Sequence, residues 1–219
     1  MQTMRMVLAR ENGDTGSRSV PPNRGGRVMA LLTLAERKAI FKEMGLEYNK
    51  ATITALQSKY MLRKSDVDGI YGPNTDNMVR TVYNVGKYTK NFKPEEFRCE
   101  CGGRYCCGFP SYMKPHELIS IQAIRDHWNR PVKVTCGMRC STYNRKLNGS
   151  VTNSKHLTGQ AIDFYQSGCT DTLTNRKMAI KWMKRNLPYL NYAYGNGINS
   201  NGYKVRAPYM GNALHVDTK

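Results

Sequence analysis

The chain has 219 residues, of which 40% are hydrophobic, so a folded protein of one or two domains is expected and wholesale disorder is excluded. Lys and Arg outnumber Asp and Glu by 34 to 16, and the resulting net charge of +18 indicates a polyanionic partner. No apolar run reaches the length of about 18 residues that predicts a transmembrane helix. No usual nucleic-acid-binding motif occurs either, so a nucleic-acid partner would rest on the charge alone.

The first 28 residues form a basic segment that contains Pro and Gly but no apolar block typical of a secretory signal. We interpret residues 1–28 as a tail without stable structure. The expectation that follows is synthesis in the cytoplasm without a signal peptide.

Residues 29–85 are predicted to form a small module of three helices. Thr33 followed by Glu36 is the pattern of a helix capping box, which places the start of the first helix. Apolar residues recur at helical spacing in "ATITALQSKYML", which indicates the second helix. The third helix follows the tight, glycine-containing loop "SDVDGIYGPNT".

A polar, lysine-rich stretch, residues 86–97, is interpreted as a linker to a second part that spans residues 98–219. This second part mixes helical patterns with short, non-repeating strand patterns, which favours the α+β class. The patterns are, in order, a helix in "KPHELISIQAIRDHW", a strand in "PVKVTCGM", a helix in "TNRKMAIKWMKRNL" and a terminal strand in "NALHVDT".

The chain has seven cysteines, an odd number, so at least one is unpaired or binds a metal. Four lie together in "CECGGRYCC", namely Cys99, Cys101, Cys106 and Cys107. This spacing is not one of the standard zinc-ribbon patterns. A small zinc site, ordinary thiols and one local disulfide all stay open for this cluster.

The segment "SKHLTGQAIDF" holds the residues best suited to chemistry, His156 and Asp163. If Gly159 allows a turn that brings the chain back, the two side chains can supply two ligands of a zinc ion. A catalytic zinc needs a third protein ligand, and His215 in the terminal strand is the natural candidate. The alternative is an ordinary buried turn and strand, with His215 at the surface.

The helical segment "ITALQSKYML" and the following "DVDGIYGPNTDNMVRTVYN" resemble the peptidoglycan-binding module of bacterial and phage wall hydrolases. The resemblance covers about 50 residues. It implies a glycan-binding groove near Asp68, Tyr71 and Asn74.

The long segment "VKVTCGMRCSTYNRKLNGSVTNSKHLTGQAIDF", followed later by "ALHVDT", resembles the zinc D-Ala-D-Ala carboxypeptidase and murein endopeptidase family of metallopeptidases. The resemblance implies a small α+β domain with zinc on an antiparallel sheet. It also implies that His156, Asp163 and His215 bind zinc. Arg139 would hold a substrate carboxylate or stabilise the oxyanion of the tetrahedral intermediate.

The general base is the uncertain member of this set. Many members of the family carry Glu or Asp three residues before the last histidine, where this chain has Asn212. Asp217 lies two residues after His215, so on a strand both side chains point to the same face. Asp217 is a candidate for the base, and the alternative is that it orients a zinc-bound histidine.

Taken together, the two resemblances predict a peptidoglycan hydrolase of the phage endolysin type, which cleaves peptide bonds of the stem peptide or cross-link. Its expected partners are peptidoglycan and anionic wall polymers, and its place of action is the bacterial cell wall after release. A catalytically inactive wall-binding protein that keeps the metallopeptidase fold is the alternative, because Asn212 cannot accept a proton.

Overall fold

The structure, a computed structural model, describes residues 30–219. These residues combine helices with one antiparallel sheet of five strands, which confirms the predicted α+β class. The predicted tail, residues 1–28, lies outside the described residues. Among the helices described, none is long and apolar enough to cross a membrane.

Three helices come first, as predicted. They are α1 (Leu34–Glu43), α2 (Lys50–Tyr60) and α3 (Pro73–Tyr88). Thr33 caps α1, and its hydroxyl accepts from the amide of Glu36 while the Glu36 carboxylate accepts from the amide of Thr33. This capping box satisfies amide groups that the first helical turn leaves without partners.

The loop after α2 is closed by one buried amide side chain, that of Gln57. Its Nε2 donates to Asp68 Oδ1 at 2.8 Å and to the Ile70 carbonyl at 3.1 Å. Its Oε1 accepts from the backbone amides of Asp68 and Gly69. Gly69 has a φ of +71°, and a Cβ atom there would lie 2.7 Å from Thr54, so glycine is required.

The stretch interpreted as a linker, residues 86–97, packs into the fold. Helix α3 continues to Tyr88, and Phe92 and Phe97 are 8% and 0% exposed. Both rings belong to the same hydrophobic core that runs from the helical module into the sheet. The lysines of this stretch lie at the surface. Its composition is therefore polar, although two of its aromatic residues are buried.

The remaining elements form the second part of the fold. They are α4 (Pro115–Trp128), β1 (Lys133–Cys136), α5 (Ser141–Asn144), β2 (Ala161–Tyr165), α6 (Leu173–Asn186), β3 (Leu190–Gly195), β4 (Ile198–Asn199) and β5 (Leu214–Thr218). The sheet order is β1-β2-β5-β3-β4, and all pairs are antiparallel. The terminal strand is therefore inserted between β2 and β3.

Helix α4 packs against the central strands β2 and β5 and buries an acidic residue there. Glu117, in its first turn, is fully buried, and its two carboxylate oxygens have no hydrogen-bond partner among the described residues. This burial raises the pKa of Glu117 to about 8, against the lowering effects of the neighbouring Thr218 and His215. Glu117 therefore keeps its proton to a higher pH than an exposed glutamate does.

We expect stability to decline with pH because of Glu117. Its pKa rises from 4.5 to about 8 on folding, so its favourable contribution is complete below pH 4.5 and is lost as the pH rises to about 8. The loss amounts to about 1.4 kcal/mol per pH unit in that window. In urea denaturation between about pH 5.5 and about pH 7.5, the free energy of unfolding of Glu117→Gln should increase relative to that of the wild type at this rate. The exposed Glu47→Gln is the control, and a difference that does not change with pH would contradict the buried ionisation.

Candidate active site

The two central strands bring Asp163 and His215 together. Asp163 on β2 pairs with His215 on β5, and Ala161 pairs with Asp217 in the same ladder. Paired residues in an antiparallel ladder project to the same face, so Asp163, His215 and Asp217 share one face of the sheet. The Nδ1 atom of His215 lies 2.7 Å from Oδ1 of Asp163.

His156 reaches the same carboxylate from a short 3₁₀ turn, Lys155–Thr158, that precedes β2. Gly159 follows this turn with a φ of +69°, and a Cβ atom there would collide with the carbonyl of Tyr112. The Nδ1 atom of His156 lies 2.7 Å from the Gly137 carbonyl, so Nδ1–H donates, and the Nε2 lone pair of the neutral ring is the one that can bind a metal. That Nε2 atom lies 3.2 Å from Oδ1 of Asp163.

This arrangement fits a zinc ion. Two imidazole nitrogens and one carboxylate oxygen are a suitable donor set, and ligand atoms that share one tetrahedral zinc lie about 3.3 Å apart. From Oδ1 of Asp163, the separation to His156 Nε2 is 3.2 Å, close to that value, and the separation to His215 Nδ1 is 2.7 Å, a hydrogen-bond distance. Among the described residues, the ligand atoms that lie within 4.8 Å of one another at this site belong to Cys136, His156 and Asp163, and His215 is outside this group. Cys136 is a member of the site that the sequence did not single out.

Without metal, the surroundings of Asp163 and His215 favour an ionised carboxylate and a protonated imidazole. Burial lowers the pKa of His215, but hydrogen bonds to Asp163 and Asp217 outweigh burial and raise it to about 9. Burial likewise raises the pKa of Asp163, and the charge of His156 with hydrogen bonds from both histidines holds it far below its usual range. A metal cation that binds here replaces the proton of His215.

Asp217 contacts the ring nitrogen of His215 that faces away from Asp163. Its Oδ2 atom lies 3.2 Å from Nε2 of His215, and its Oδ1 atom accepts from Nδ2 of Asn191 at 2.7 Å. Both carboxylate oxygens are thus engaged, and Asp217 is 6% exposed. The geometry matches the second of the two predicted roles, an acid that orients a histidine.

Arg139 lies beside the same centre, after β1. Its Nη2 atom donates to Sγ of Cys136 at 3.1 Å and lies 3.5 Å from Oδ2 of Asp163. Its Nη1 atom donates to the buried Asn144 at 3.2 Å. The backbone amide of Arg139 also donates to the carbonyl of His156, so the arginine and the histidine turn are fixed to each other.

A cavity of about 740 Å³ opens over this centre. Its wall includes His156, Asp163, His215 and Arg139, together with the aromatic rings of Tyr194 and Tyr209. The ring of Tyr194 lies 4.8 Å from that of His215. The pocket therefore offers aromatic surface next to the polar centre, as ligand sites commonly do.

The position of Asn212, where many family members carry an acid, does not face the pocket, and a different acid does. The side chain of Asn212 accepts from Arg176 at 3.2 Å, and Asn212 is not part of the pocket wall. Glu100, which the sequence did not single out, lines the pocket instead. Desolvation at the pocket wall raises the pKa of Glu100, against the opposing charge of Arg139, although the residue keeps an exposed surface. Its position inside the cysteine-rich loop hid it from motif reading.

The three residues predicted to bind glycan lie in the helical module, with different surroundings. Tyr71 is buried in the core, with its ring 6.3 Å from that of Phe41, and not in a surface groove. Asp68 accepts hydrogen bonds from Gln57 and from the amide of Ile70, which closes its own loop. Asn74 is exposed at the start of α3. The structure gives Asp68 and Tyr71 structural roles, and glycan binding by this loop stays a prediction.

Comparison with known proteins bears on the second part of the chain. A family model described as Peptidase M15 matches residues 90–191. No curated protein matches the chain. The matched segment contains Arg139, His156 and Asp163, whereas His215 and Asp217 lie beyond it. With the antiparallel sheet and the metal-ligand geometry, the match supports a peptidase domain of the M15 type in this part of the chain.

Proposed function

We propose that the protein is a zinc peptidase that hydrolyses peptide bonds of bacterial peptidoglycan, in the manner of a phage endolysin. One observation carries the proposal. His156 and His215 converge on one oxygen of Asp163 within the pocket of a domain that matches Peptidase M15. The substrate class rests on the resemblance of both parts to wall hydrolases, and the charge of +18 favours anionic wall polymers as partners. The place of action that follows is the cell wall.

We assign zinc binding to His156, Asp163 and His215. Cys136 lies beside these three ligands, and its sulfur accepts a hydrogen bond from Nη2 of Arg139 at 3.1 Å. Zinc held by such a set acts as a Lewis acid and lowers the pKa of a bound water to about 7.

The other polar residues of the pocket take separate roles in this proposal. Arg139 presents a fixed guanidinium that suits a substrate carboxylate or a developing oxyanion. Asp217 orients His215 through Nε2. Glu100 lies in the pocket wall and has a raised pKa. No hydrogen bond to its carboxylate lowers this pKa, so we assign Glu100 as the group that accepts a proton.

The function is tested by incubating the purified full chain with peptidoglycan and identifying the released peptides by mass spectrometry. We expect release that a chelator abolishes and zinc restores. His156→Ala should lower turnover by about a thousandfold or more, because the Lewis acid contributes several kcal/mol. Asn212→Ala is the control and should stay near wild type, since its side chain contacts Arg176. Wall binding without any release would favour the inactive wall-binding protein, and an active His156→Ala would contradict the ligand assignment.

The roles of the two pocket carboxylates are separated by a pair of variants. Glu100→Gln should lower kcat by about 10²–10⁴-fold and leave zinc affinity unchanged, as expected for a lost proton acceptor. Asp217→Asn should weaken zinc binding by about 10–100-fold, as expected for a lost partner of a ligand histidine. Zinc affinity is read as the zinc concentration that restores half of the activity after chelation. The opposite pattern would make Asp217 the base.

Zinc affinity should rise with pH. The pKa of His215 in the metal-free site is about 9, so below that value metal binding must displace one proton. The half-restoring zinc concentration should fall about tenfold per pH unit from about pH 6 to about pH 8. Asp217→Asn removes one of the two hydrogen bonds that raise the pKa of His215, so this pKa should fall. The zinc affinity of the variant should therefore stop rising at a lower pH than that of the wild type. A flat profile in the wild type would show that His215 is not a ligand.

A further inference from the structure

Four cysteine sulfurs, which we call the thiol cluster, lie within 4.8 Å of one another on the side of the fold next to the pocket: Cys99, Cys101, Cys106 and Cys140. The set differs from the sequence motif in one member. Cys107 lies in the main hydrophobic core, where its sulfur accepts from the amide of Phe109, and Cys140 takes its place. Because Cys140 comes from the turn after β1, the thiol cluster joins two separate segments of the chain.

The distances within the thiol cluster suit a shared metal. Four sulfurs at about 2.3 Å from one tetrahedral zinc lie about 3.8 Å from each other, whereas a disulfide brings two sulfurs to about 2.05 Å. The sulfurs of Cys101 and Cys106 are 3.5 Å apart, and all seven cysteines, each within the described residues, are unpaired. The one separation of 3.5 Å is close to that of two ligands of one zinc ion, and the other pairs lie within 4.8 Å.

Backbone groups around the thiol cluster support the same interpretation. The amide of Cys140 donates to Sγ of Cys99 at 3.3 Å, and the amide of Tyr143 donates to Sγ of Cys140 at 3.4 Å. Amide donors to sulfur stabilise the thiolate form that binds metal. Gly102 and Gly103 follow Cys101 with φ values of +61° and +84°, which lets the chain turn back tightly after the second sulfur.

We propose that the thiol cluster binds a structural zinc ion, separate from the zinc of the active site. Tetrahedral coordination by four sulfurs is the usual chemistry of closed structural zinc sites. Three of the four sulfurs are nearly buried, which leaves no open position for a substrate.

The position of the thiol cluster gives this zinc a second consequence. Arg139 directly precedes Cys140, and Glu100 lies between Cys99 and Cys101. Both Arg139 and Glu100 line the pocket. The structural zinc therefore fixes two pocket residues that lie outside the helices and strands.

Zinc content, measured by elemental analysis of the full chain purified under reducing conditions, tests the proposal. We expect two zinc ions per chain in the wild type. Cys106→Ser, which removes the site in the thiol cluster, should keep one, and the double variant His156→Ala with Cys136→Ser, which removes the active-site zinc, should also keep one. The combination of all three substitutions should bind none. Cys169→Ala, which removes a buried thiol outside both sites, should keep two. A mercurial that modifies thiolates should release the single zinc of the double variant.

Because Cys106→Ser can unfold the chain, the double variant also provides a test that leaves the thiol cluster intact. Loaded with cobalt, it should show the thiolate-to-cobalt charge-transfer band, which can then come only from the thiol cluster. Absence of both zinc and this band in the folded double variant would overturn the proposal. A Cys101–Cys106 disulfide found by mass spectrometry in the protein as purified would overturn it as well. These measurements need no activity, so they stand apart from the test of the peptidase.

Discussion

The carboxylate of Asp163 is the group around which the site is arranged. It lies in the middle of the sheet, and it contacts His156 and His215 through one oxygen and Arg139 through the other. A buried carboxylate is costly unless donors and cations surround it. Here the three compensating groups come from three segments: the turn before β2, the strand β5 and the loop after β1. The contacts that compensate this one carboxylate therefore hold three segments of the pocket wall in fixed positions relative to one another.

Local signals in the sequence were sufficient for the helices and for the fold class. The capping box at Thr33 and the apolar spacing of α2 are properties of a few consecutive residues, and the structure contains both. The meeting of Asp163 and His215 is different in kind, because it depends on strand pairing between distant segments. The sequence made His215 the natural candidate for the third ligand, and the family resemblance implied the same assignment, but neither contains the strand pairing itself.

Two local patterns of the sequence conceal contacts with distant segments. The lysines of residues 86–97 suggest a linker, but Phe92 and Phe97 find their contacts in a core built by other segments. The adjacent residues Cys106 and Cys107 separate in the same way, one toward the thiol cluster and the other into the core. Which of two neighbouring thiols joins a cluster is decided by the path of the chain, and motif spacing does not contain that information.

The helical module packs against the second part of the fold, and this packing changes what the module does for the site. Asn84 and Thr81 of α3 hydrogen-bond the carbonyl and the amide of Met113, and the next amide, of Lys114, donates to the carbonyl of Gly159. Gly159 ends the turn that carries His156. A continuous set of hydrogen bonds therefore runs from the module to the end of the turn that carries His156. A tethered module would act by raising the local concentration of substrate, whereas a packed one also supports the geometry of the centre itself.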